Sequence, residues 1–337
     1  MPEINKQILL AARPVGFPKP SDFQLAEAPM PSPSDGEFLI GASYLSVDPY
    51  MRGRMSDAKS YAEPVKIGEV MTGGVVGKVL ASRHPKFQEG DYVAGQFGWQ
   101  QFAISNGKGV RKVDPALAPI STALGVLGMP GMTAYFGLLE IGQPKAGETV
   151  VVSGAAGAVG SYVGQIAKIK DCKVVGIAGT DDKVAWMERE LGFDAAFNYK
   201  THSDYYATLK RLCPQGIDVY FDNVGGAITD AVFPLMNPLG RVAVCGQIAL
   251  YNLEKPDLGP RLLPLMLRLQ LRVQGFLVFQ FAARAEEALR EMAGWVQSGQ
   301  LKYRETVVDG IDHAVDAFLG MLRGENTGKQ LVKISDL

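Results

Sequence analysis

The stretch VVVSGAAGAVGSYVGQIAK, at residues 150–168, limits the folds open to this chain more than any other segment. β-branched residues lead into a cluster of Gly and Ala, and an amphipathic segment follows, so the pattern predicts a strand, a tight turn and a helix. The spacing Ala155-x-Gly157-x-x-Gly160 matches the dinucleotide-binding pattern, with Ala in the first position. Gly157 lets a pyrophosphate approach the backbone, Gly160 lets the helix pack closely on the strand, and the helix N-terminus attracts the anion.

Strand and helix patterns alternate after this turn. Strands are predicted at residues 150–153, 173–178, 195–198, 218–222, 241–245 and 272–278. Helices are predicted up to residue 170 and at residues 182–191, 203–212, 227–236 and 283–298. This alternation is typical of a parallel sheet covered by helices on both faces, so we predict an α/β fold with a Rossmann-type, doubly wound domain at residues 126–299.

The chain before residue 115 has a different pattern. Its short segments are apolar or alternating and are bounded by Pro, Gly and Asp, at residues 7–12, 37–47, 74–82, 92–96 and 100–105. This rhythm predicts a compact β domain that forms a partly open barrel. Met129-Pro130-Gly131 interrupts the helical spacing of the next segment and marks a hinge or a domain boundary. The strand-helix-strand pattern of the tail predicts that it joins the β domain, which then covers residues 1–125 with 300–337.

The composition argues against several classes of protein. Hydrophobic residues make up 47% and charged residues 20%, as in ordinary globular proteins, and the net charge of -1 gives no general attraction to nucleic acid or anionic membranes. No apolar run reaches the length of a membrane span, and the N-terminus lacks the layout of a signal peptide. The three cysteines and three histidines are scattered, which favours reduced thiols in the cytoplasm and gives no metal-ligand spacing.

The end of the second predicted strand indicates which dinucleotide binds. An NAD site usually has Asp or Glu there, whereas this chain has Gly179, 19 residues after Gly160, and then Lys183 nearby. A missing carboxylate and a neighbouring lysine suit the 2′-phosphate of NADP. The alternative is that Asp181 holds a ribose in an NAD site, and charge complementarity favours NADP.

Seven segments spread over nearly the whole chain carry a resemblance to a known family. They are DPYMRGRM (48–55), LGMPGMTAYFGLLEIG (127–142), GAAGAVGSYVGQIAKIKDCKVVGIAGTDDKV (154–184), FNYKT (197–201), YFDNVGG (220–226), GRVAVCGQIALYN (240–252) and GENTGK (324–329). Together they resemble the zinc-independent medium-chain dehydrogenases/reductases, and within that branch the prostaglandin reductase and alkenal double-bond reductase group. The resemblance implies a GroES-like β-barrel as the first domain, NADPH as the cofactor and a homodimer. Zinc-dependent relatives carry a Gly-His-Glu motif, whereas Gly68-Glu69 stands here without His, so we expect no metal.

The resemblance also implies which residues bind NADPH. Most of them lie at the carboxyl ends of predicted parallel strands, where open α/β sheets bind ligands. The implied contacts are Gly157, Ala158, Val159 and Gly160 at the pyrophosphate, Lys183 and Tyr199 at the adenosine phosphate, and then Asn223, Cys245, Gly246, Gln247, Ile248, Ala249, Leu250, Tyr251, Phe276, Leu277, Val278 and Asn326. By propensity alone, Asn223 is a turn residue and residues 276–278 are sheet core.

Chemistry without a metal restricts the acceptor. Hydride transfer to an isolated ketone leaves a full negative charge on one oxygen, which calls for a Lewis acid or a strong proton donor. An enone or enal accepts hydride at its β carbon and spreads the charge over an enolate, and a proton at the α carbon then completes reduction of the C=C bond. We therefore predict an oxidoreductase, an NADPH-dependent reductase of the C=C bond of α,β-unsaturated aldehydes and ketones.

Two tyrosines are the candidate catalytic residues. Tyr251 follows the fifth strand of the predicted sheet on its ligand side, and a phenol that stays protonated at pH 7 can donate a hydrogen bond to the substrate oxygen. The alternative for Tyr251 is packing of a loop. Tyr50 is the second candidate and is expected to face the cleft from the β domain. Two other functions stay open: an NADPH quinone reductase of the same branch, and a non-catalytic NADPH-binding sensor.

Overall fold

The computed structural model describes residues 4–337. Two compact units divide the chain: the first contains the residues up to Leu124 together with Glu305–Leu337, and the second contains Gly125–Arg304. The strands are, in chain order, β1 (Ile4–Leu10), β2 (Phe23–Pro29), β3 (Phe38–Ser46), β4 (Gly74–Ser82), β5 (Tyr92–Gln96), β6 (Phe102–Ser105), β7 (Arg111–Val113), β8 (Thr149–Ser153), β9 (Lys173–Ala178), β10 (Ala195–Asn198), β11 (Ile217–Asp222), β12 (Met236–Val244), β13 (Arg272–Gly275), β14 (Glu305–Asp309) and β15 (Lys329–Lys333).

The α-helices separate these strands and are frequent in the second unit. They are α1 (Tyr50–Arg54), α2 (Met129–Phe136), α3 (Gly160–Ile169), α4 (Asp181–Arg189), α5 (Tyr205–Leu212), α6 (Gly226–Val232), α7 (Leu263–Leu269), α8 (Ala285–Gln297) and α9 (Ala314–Leu322). Side-chain caps begin two of them, because Thr180 Oγ1 accepts the Lys183 N–H and Asp204 Oδ1 accepts the Ala207 N–H. Across residues 4–337, none of the helices combines the length and the apolar character that a membrane crossing requires.

The second unit is built on a six-stranded sheet in the order β10-β9-β8-β11-β12-β13. All five neighbouring pairs are parallel. Val150 and Val152 of β8 pack into one hydrophobic core, and Val151 between them packs into the core on the opposite face. Because the sheet is buried on both faces, its central strand is a continuous apolar run rather than an alternating one.

The first unit is organised around a seven-stranded sheet. Its order is β14-β15-β3-β4-β5-β7 with β6 paired to β3, and a two-stranded ribbon of β1 and β2 stands beside it. The Trp99 ring is stacked on Phe23 at 6.0 Å and meets Phe318 edge-on at 5.7 Å. Phe318 belongs to α9, so the C-terminal tail contributes both strands and a core aromatic to this unit. The predicted α/β class, with a Rossmann-type sheet and a separate β domain, is confirmed, and the assignment of substrate binding to one domain and NADP binding to the other stays a prediction.

Three local predictions were wrong or incomplete. The sequence pattern missed β2 and β7, since β2 pairs only with β1 and leaves polar residues exposed, and β7 has three residues of which two are charged. Met129-Pro130 is the start of α2, with Pro in the first turn, where its missing N–H leaves no hydrogen bond unmade, and the chain passes from the first unit to the second a few residues earlier, between Leu124 and Gly125. The strand predicted at residues 272–278 ends at Gly275, and a 3₁₀-helix begins at Val278.

Candidate dinucleotide-binding and active site

The turn between β8 and α3 is shaped by two glycines with different constraints. A Cβ atom at Gly160 would lie 2.4 Å from the Gly154 carbonyl oxygen, so the close packing of the helix on the turn requires Gly there. A Cβ atom at Gly157 would meet the same oxygen at 3.2 Å and no other atom within 4 Å. The space in front of Gly157 is therefore open, and Gly157, Ala158 and Val159 are all half-buried. Such a turn, with an open face at a helix N-terminus, fits a pyrophosphate.

The ends of β9 and β10 form a cationic corner. Lys183 lies in the first turn of α4 and is only 9% exposed. Burial, and then the neighbouring Lys200 ammonium, lower the pKa of Lys183. An anion beside Lys183 and Lys200 would offset the unfavourable effect on Lys183, which fits the 2′-phosphate of NADP. Sequence analysis missed Lys200, although it directly follows Tyr199 in the FNYKT segment.

Tyr199 packs over Gly179, the residue that directly follows β9. A Cβ atom at Gly179 would lie 3.1 Å from the Tyr199 hydroxyl and equally close to its ring, so the aromatic side chain covers this position. A carboxylate side chain of the kind that NAD sites carry there would have to displace Tyr199. The alternative ligand, Asp181, accepts a hydrogen bond from Asn198 Nδ2 at 2.8 Å, which ties its carboxylate to the end of β10.

The end of β11 holds Asn223 by two hydrogen bonds to β8. The Asn223 N–H donates to Ser153 Oγ at 2.9 Å, and Nδ2 donates to the Ser153 carbonyl oxygen at 2.8 Å. The residue before it, Asp222, is 1% exposed. Its carboxylate accepts one hydrogen bond from Ser153 Oγ at the end of β8 and one from Gln247 Nε2 in the loop after β12. Asp222 was not predicted from the sequence, where it reads as an ordinary residue at a strand end.

The loop after β12 carries most of the remaining predicted residues. The Cys245 and Gly246 N–H groups donate to the Asp222 carbonyl oxygen at 2.9 and 3.1 Å, and a 3₁₀ turn at Ile248–Leu250 follows. Tyr251 ends this turn, is half-buried, and its hydroxyl accepts the Gln247 N–H at 3.3 Å. Burial, and then Asp222, raise the pKa of Cys245 to about 12, so this thiol is neutral.

Residues 276–278 do not lie on a strand as predicted, because β13 ends before them. The Phe276 side chain is 7% exposed and packs edge-on against Phe221 at 6.1 Å, in the core of the second unit. Leu277 and Val278 are half-buried at the start of the next 3₁₀-helix. Phe276 is thus a core residue, as its propensity indicated, although it lies beyond the end of the strand.

Tyr50 and Asn326 belong to the first unit. The Tyr50 hydroxyl donates to Gln96 Oε1 at 3.4 Å, and burial, followed by Asp48, raises the pKa of Tyr50 above its usual value. Asp48 pairs with the buried Lys329 ammonium at 3.2 Å. The Asn326 side chain donates to the Gly328 carbonyl oxygen at 2.8 Å. Within residues 4–337, no group of three or more His, Cys, Asp and Glu side chains is arranged to hold a metal ion.

Comparison with known proteins gives full-length matches. Two family models match, one described as the N-terminal domain of oxidoreductase at residues 6–113 and one described as zinc-binding dehydrogenase at residues 158–296. Prostaglandin reductase 1 of Bos taurus is 46% identical over 95% of this chain and 96% of its own. The NADP(+)-dependent 2-alkenal reductase of Nicotiana tabacum is 43% identical over 98% of both chains. Among solved structures, CurA from Vibrio vulnificus in complex with NADPH has a TM-score of 0.95 and 47% identity, covering 98% of this chain and 100% of its own.

Substitution of the two glycines in the turn after β8 is expected to have different effects, on NADPH binding at Gly157 and on stability at Gly160. Gly157→Ala fills open space, so we expect a nearly unchanged melting temperature and an increase of about tenfold or more in the dissociation constant of NADPH. Gly160→Ala forces the turn to move, so we expect a melting temperature lower by several degrees. Calorimetric titration and thermal denaturation of the purified variants measure both quantities. Equal losses of stability in the two variants would contradict the assignment of the open face to a ligand.

Proposed function

This chain belongs to the medium-chain dehydrogenase/reductase family, and from that premise we propose that it reduces the C=C bond of α,β-unsaturated aldehydes and ketones. It is an NADPH-dependent oxidoreductase of the prostaglandin and alkenal reductase type. The observation that carries the finer proposal is the position of Tyr251. The loop after β12 holds this hydroxyl at the same edge of the sheet as the dinucleotide turn.

The residues of the second unit fit NADPH. Gly157 leaves open space at the N-terminus of α3, and Lys183 with Lys200 supplies positive charge at the far end of the same edge. We assign the pyrophosphate to the first position and the 2′-phosphate to the second, with Tyr199 beside it. When bound, NADPH supplies the hydride.

Tyr251 is our proposed hydrogen-bond donor to the carbonyl oxygen of the substrate. A phenol is protonated at neutral pH and is a moderate donor. Such a donor suffices for an enone or enal, because conjugation spreads the developing charge over the enolate. Tyr50 is a second proposed hydroxyl, and its raised pKa keeps it protonated throughout the physiological range.

Cofactor choice is expected to depend on Lys183. Its replacement in Lys183→Ala removes a charge-assisted contact to the 2′-phosphate, so the KM for NADPH should rise about tenfold or more while the KM for NADH stays unchanged. Lys210→Ala, on the exposed face of α5, is the matched control and should alter neither value. Steady-state kinetics with both dinucleotides makes the comparison. Equal increases for NADPH and NADH would assign Lys183 to general stability.

The substrate class is tested by turnover. The wild-type protein should oxidise NADPH with a 2-alkenal or an alkenone, without added metal and in the presence of a chelator. Tyr251→Phe should lower kcat about tenfold, since one hydrogen bond to the developing charge is lost, with little change in NADPH affinity. A strong preference for quinones would favour a quinone reductase, and tight NADPH binding without turnover on any acceptor would favour a sensor. An unchanged kcat in Tyr251→Phe would remove the role of this residue.

We also propose that the protein is a homodimer formed through its second unit. β13 is one of the two outer strands of the parallel sheet, and large apolar side chains near it are exposed, including Leu263, Leu267 and Phe279. A second copy that adds its own β13 would bury these residues around a two-fold axis. Leu267→Asp should therefore yield monomers in light scattering after gel filtration, whereas Leu117→Asp, exposed in the first unit, should not. A monomeric wild-type protein would overturn this proposal.

A cytoplasmic location is the setting that we propose for this enzyme. All three cysteines are free thiols. Burial raises the pKa of Cys172 to about 11 and that of Cys213 to about 12, so both thiols stay protonated and unreactive. Such thiols are typical of a reducing compartment.

A further inference from the structure

Asp222 is a buried carboxylate that six hydrogen-bond donors surround. Its Oδ1 atom accepts from Ser153 Oγ, the Tyr220 hydroxyl and the Val224 and Gly225 N–H groups at 2.9–3.0 Å. Its Oδ2 atom accepts from Thr229 Oγ1 and Gln247 Nε2, each at 2.8 Å. None of the ion pairs in the described part of the chain involves Asp222, so neutral groups hold its charge.

These donors tie together the ends of three adjacent strands. Ser153 ends β8, the turn at Val224 and Gly225 follows β11, and Gln247 lies in the loop after β12. Among the six donors, Gln247 alone comes from the loop that carries Tyr251. The Gln247 amide is therefore the side-chain link from this loop to Asp222. Backbone hydrogen bonds add to it: the Cys245 and Gly246 N–H groups donate to the Asp222 carbonyl oxygen, and the Ile248 and Ala249 N–H groups donate to the Asn223 and Val224 carbonyl oxygens.

The Gln247 side-chain nitrogen is fully engaged inside the protein. Its Nε2 atom donates both to Asp222 Oδ2 and to the Gly246 carbonyl oxygen, at 2.8 and 2.9 Å, which uses both amide hydrogens. Its Oε1 atom lies so close to Gly225 that a Cβ atom there would approach it to 2.2 Å. Gly225 has a φ of +76°, so this turn requires glycine for its backbone as well as for the amide above it.

We propose that Asp222 and Gln247 form a positioning pair that sets the loop at residues 245–251 and, through it, the Tyr251 hydroxyl. The Gln247 N–H is the donor to that hydroxyl, so Gln247 contacts both the carboxylate below the loop and the phenol at its end. This inference rests on the proposed function only for the role of Tyr251. The expectation from sequence that Gln247 contacts NADPH stays a prediction beside it.

Gln247→Leu removes the side-chain link, leaves the backbone hydrogen bonds of the loop in place and leaves Asp222 with five donors, so the protein should fold. We expect kcat for a 2-alkenal to fall about tenfold, the equivalent of one lost buried hydrogen bond, while the KM for NADPH changes less than about twofold. Asp218→Asn is the matched control, since Asp218 also accepts hydrogen bonds from β8 and β12 residues, but at the opposite end of β11. It should lower thermal stability and leave kcat unchanged.

Gln247→Glu tests the pair through the pH dependence of kcat, which would not change if Gln247 served only the stability of the fold. Two carboxylates then face each other, which raises the pKa of the pair, and a protonated Glu can again donate to Asp222. Relative to wild type, kcat of this variant should therefore recover as the pH falls from about 8 to about 5.5, the range that such a raised carboxyl pKa reaches.

The outcomes separate the two proposals. Absence of wild-type turnover on the 2-alkenal would overturn the proposed function. Turnover by wild type with unchanged kcat in Gln247→Leu, or a pH profile of Gln247→Glu parallel to that of wild type, would overturn the positioning pair alone. A tenfold rise in the KM for NADPH with unchanged kcat in Gln247→Leu would return Gln247 to the cofactor contacts and would likewise overturn the pair.

Discussion

The parallel order of the six strands in the second unit is the constraint on which the whole site depends. Because β10, β9, β8, β11, β12 and β13 all run in one direction, their carboxyl ends meet at one edge. The open turn, the two lysines, Asn223 and the loop with Tyr251 are far apart in sequence, and each follows a different strand. The sheet therefore brings them to one edge through backbone pairing alone, and local side-chain contacts only refine their positions.

Charge is distributed unevenly along this edge. Two lysines stand close together beyond β9 and β10, whereas Asp222 lies between the ends of β11 and β12 and is held by neutral donors. A dinucleotide phosphate gains from the lysines, because they place two positive charges near each other. Neutral donors satisfy the hydrogen-bonding capacity of Asp222 without placing another cation near the phosphates. The carboxylate can therefore organise the loop after β12 while the positive charge of this edge stays at Lys183 and Lys200.

Most of the second unit could be predicted because its signals are local. The glycine spacing of the first turn and the alternation of apolar runs with amphipathic helices reflect backbone sterics and burial, which each segment carries by itself. Phe276 was misplaced because an apolar residue after a short strand looks the same whether the strand continues or the chain turns into the core. Lys200 and Asp222 were missed because their roles come from neighbours that the fold supplies: Lys183 for the first, and the ends of β8 and β12 for the second.

The return of the tail to the first unit has a physical reason in Lys329. Its ammonium is buried, donates to the Val47 and Gln330 carbonyl oxygens at 2.7 Å, and pairs with Asp48. Without Lys329, the buried Asp48 carboxylate would lack its cation and would destabilise the fold. The last strand is therefore needed to stabilise the segment that leads into α1 and Tyr50. Each proposed hydroxyl thus lies on a segment that contacts a buried aspartate, Asp48 for Tyr50 and Asp222 for Tyr251, and the two aspartates are stabilised differently. A cation from the tail holds Asp48, and neutral donors from three strand ends hold Asp222, so each tyrosine depends on contacts that its own segment cannot provide.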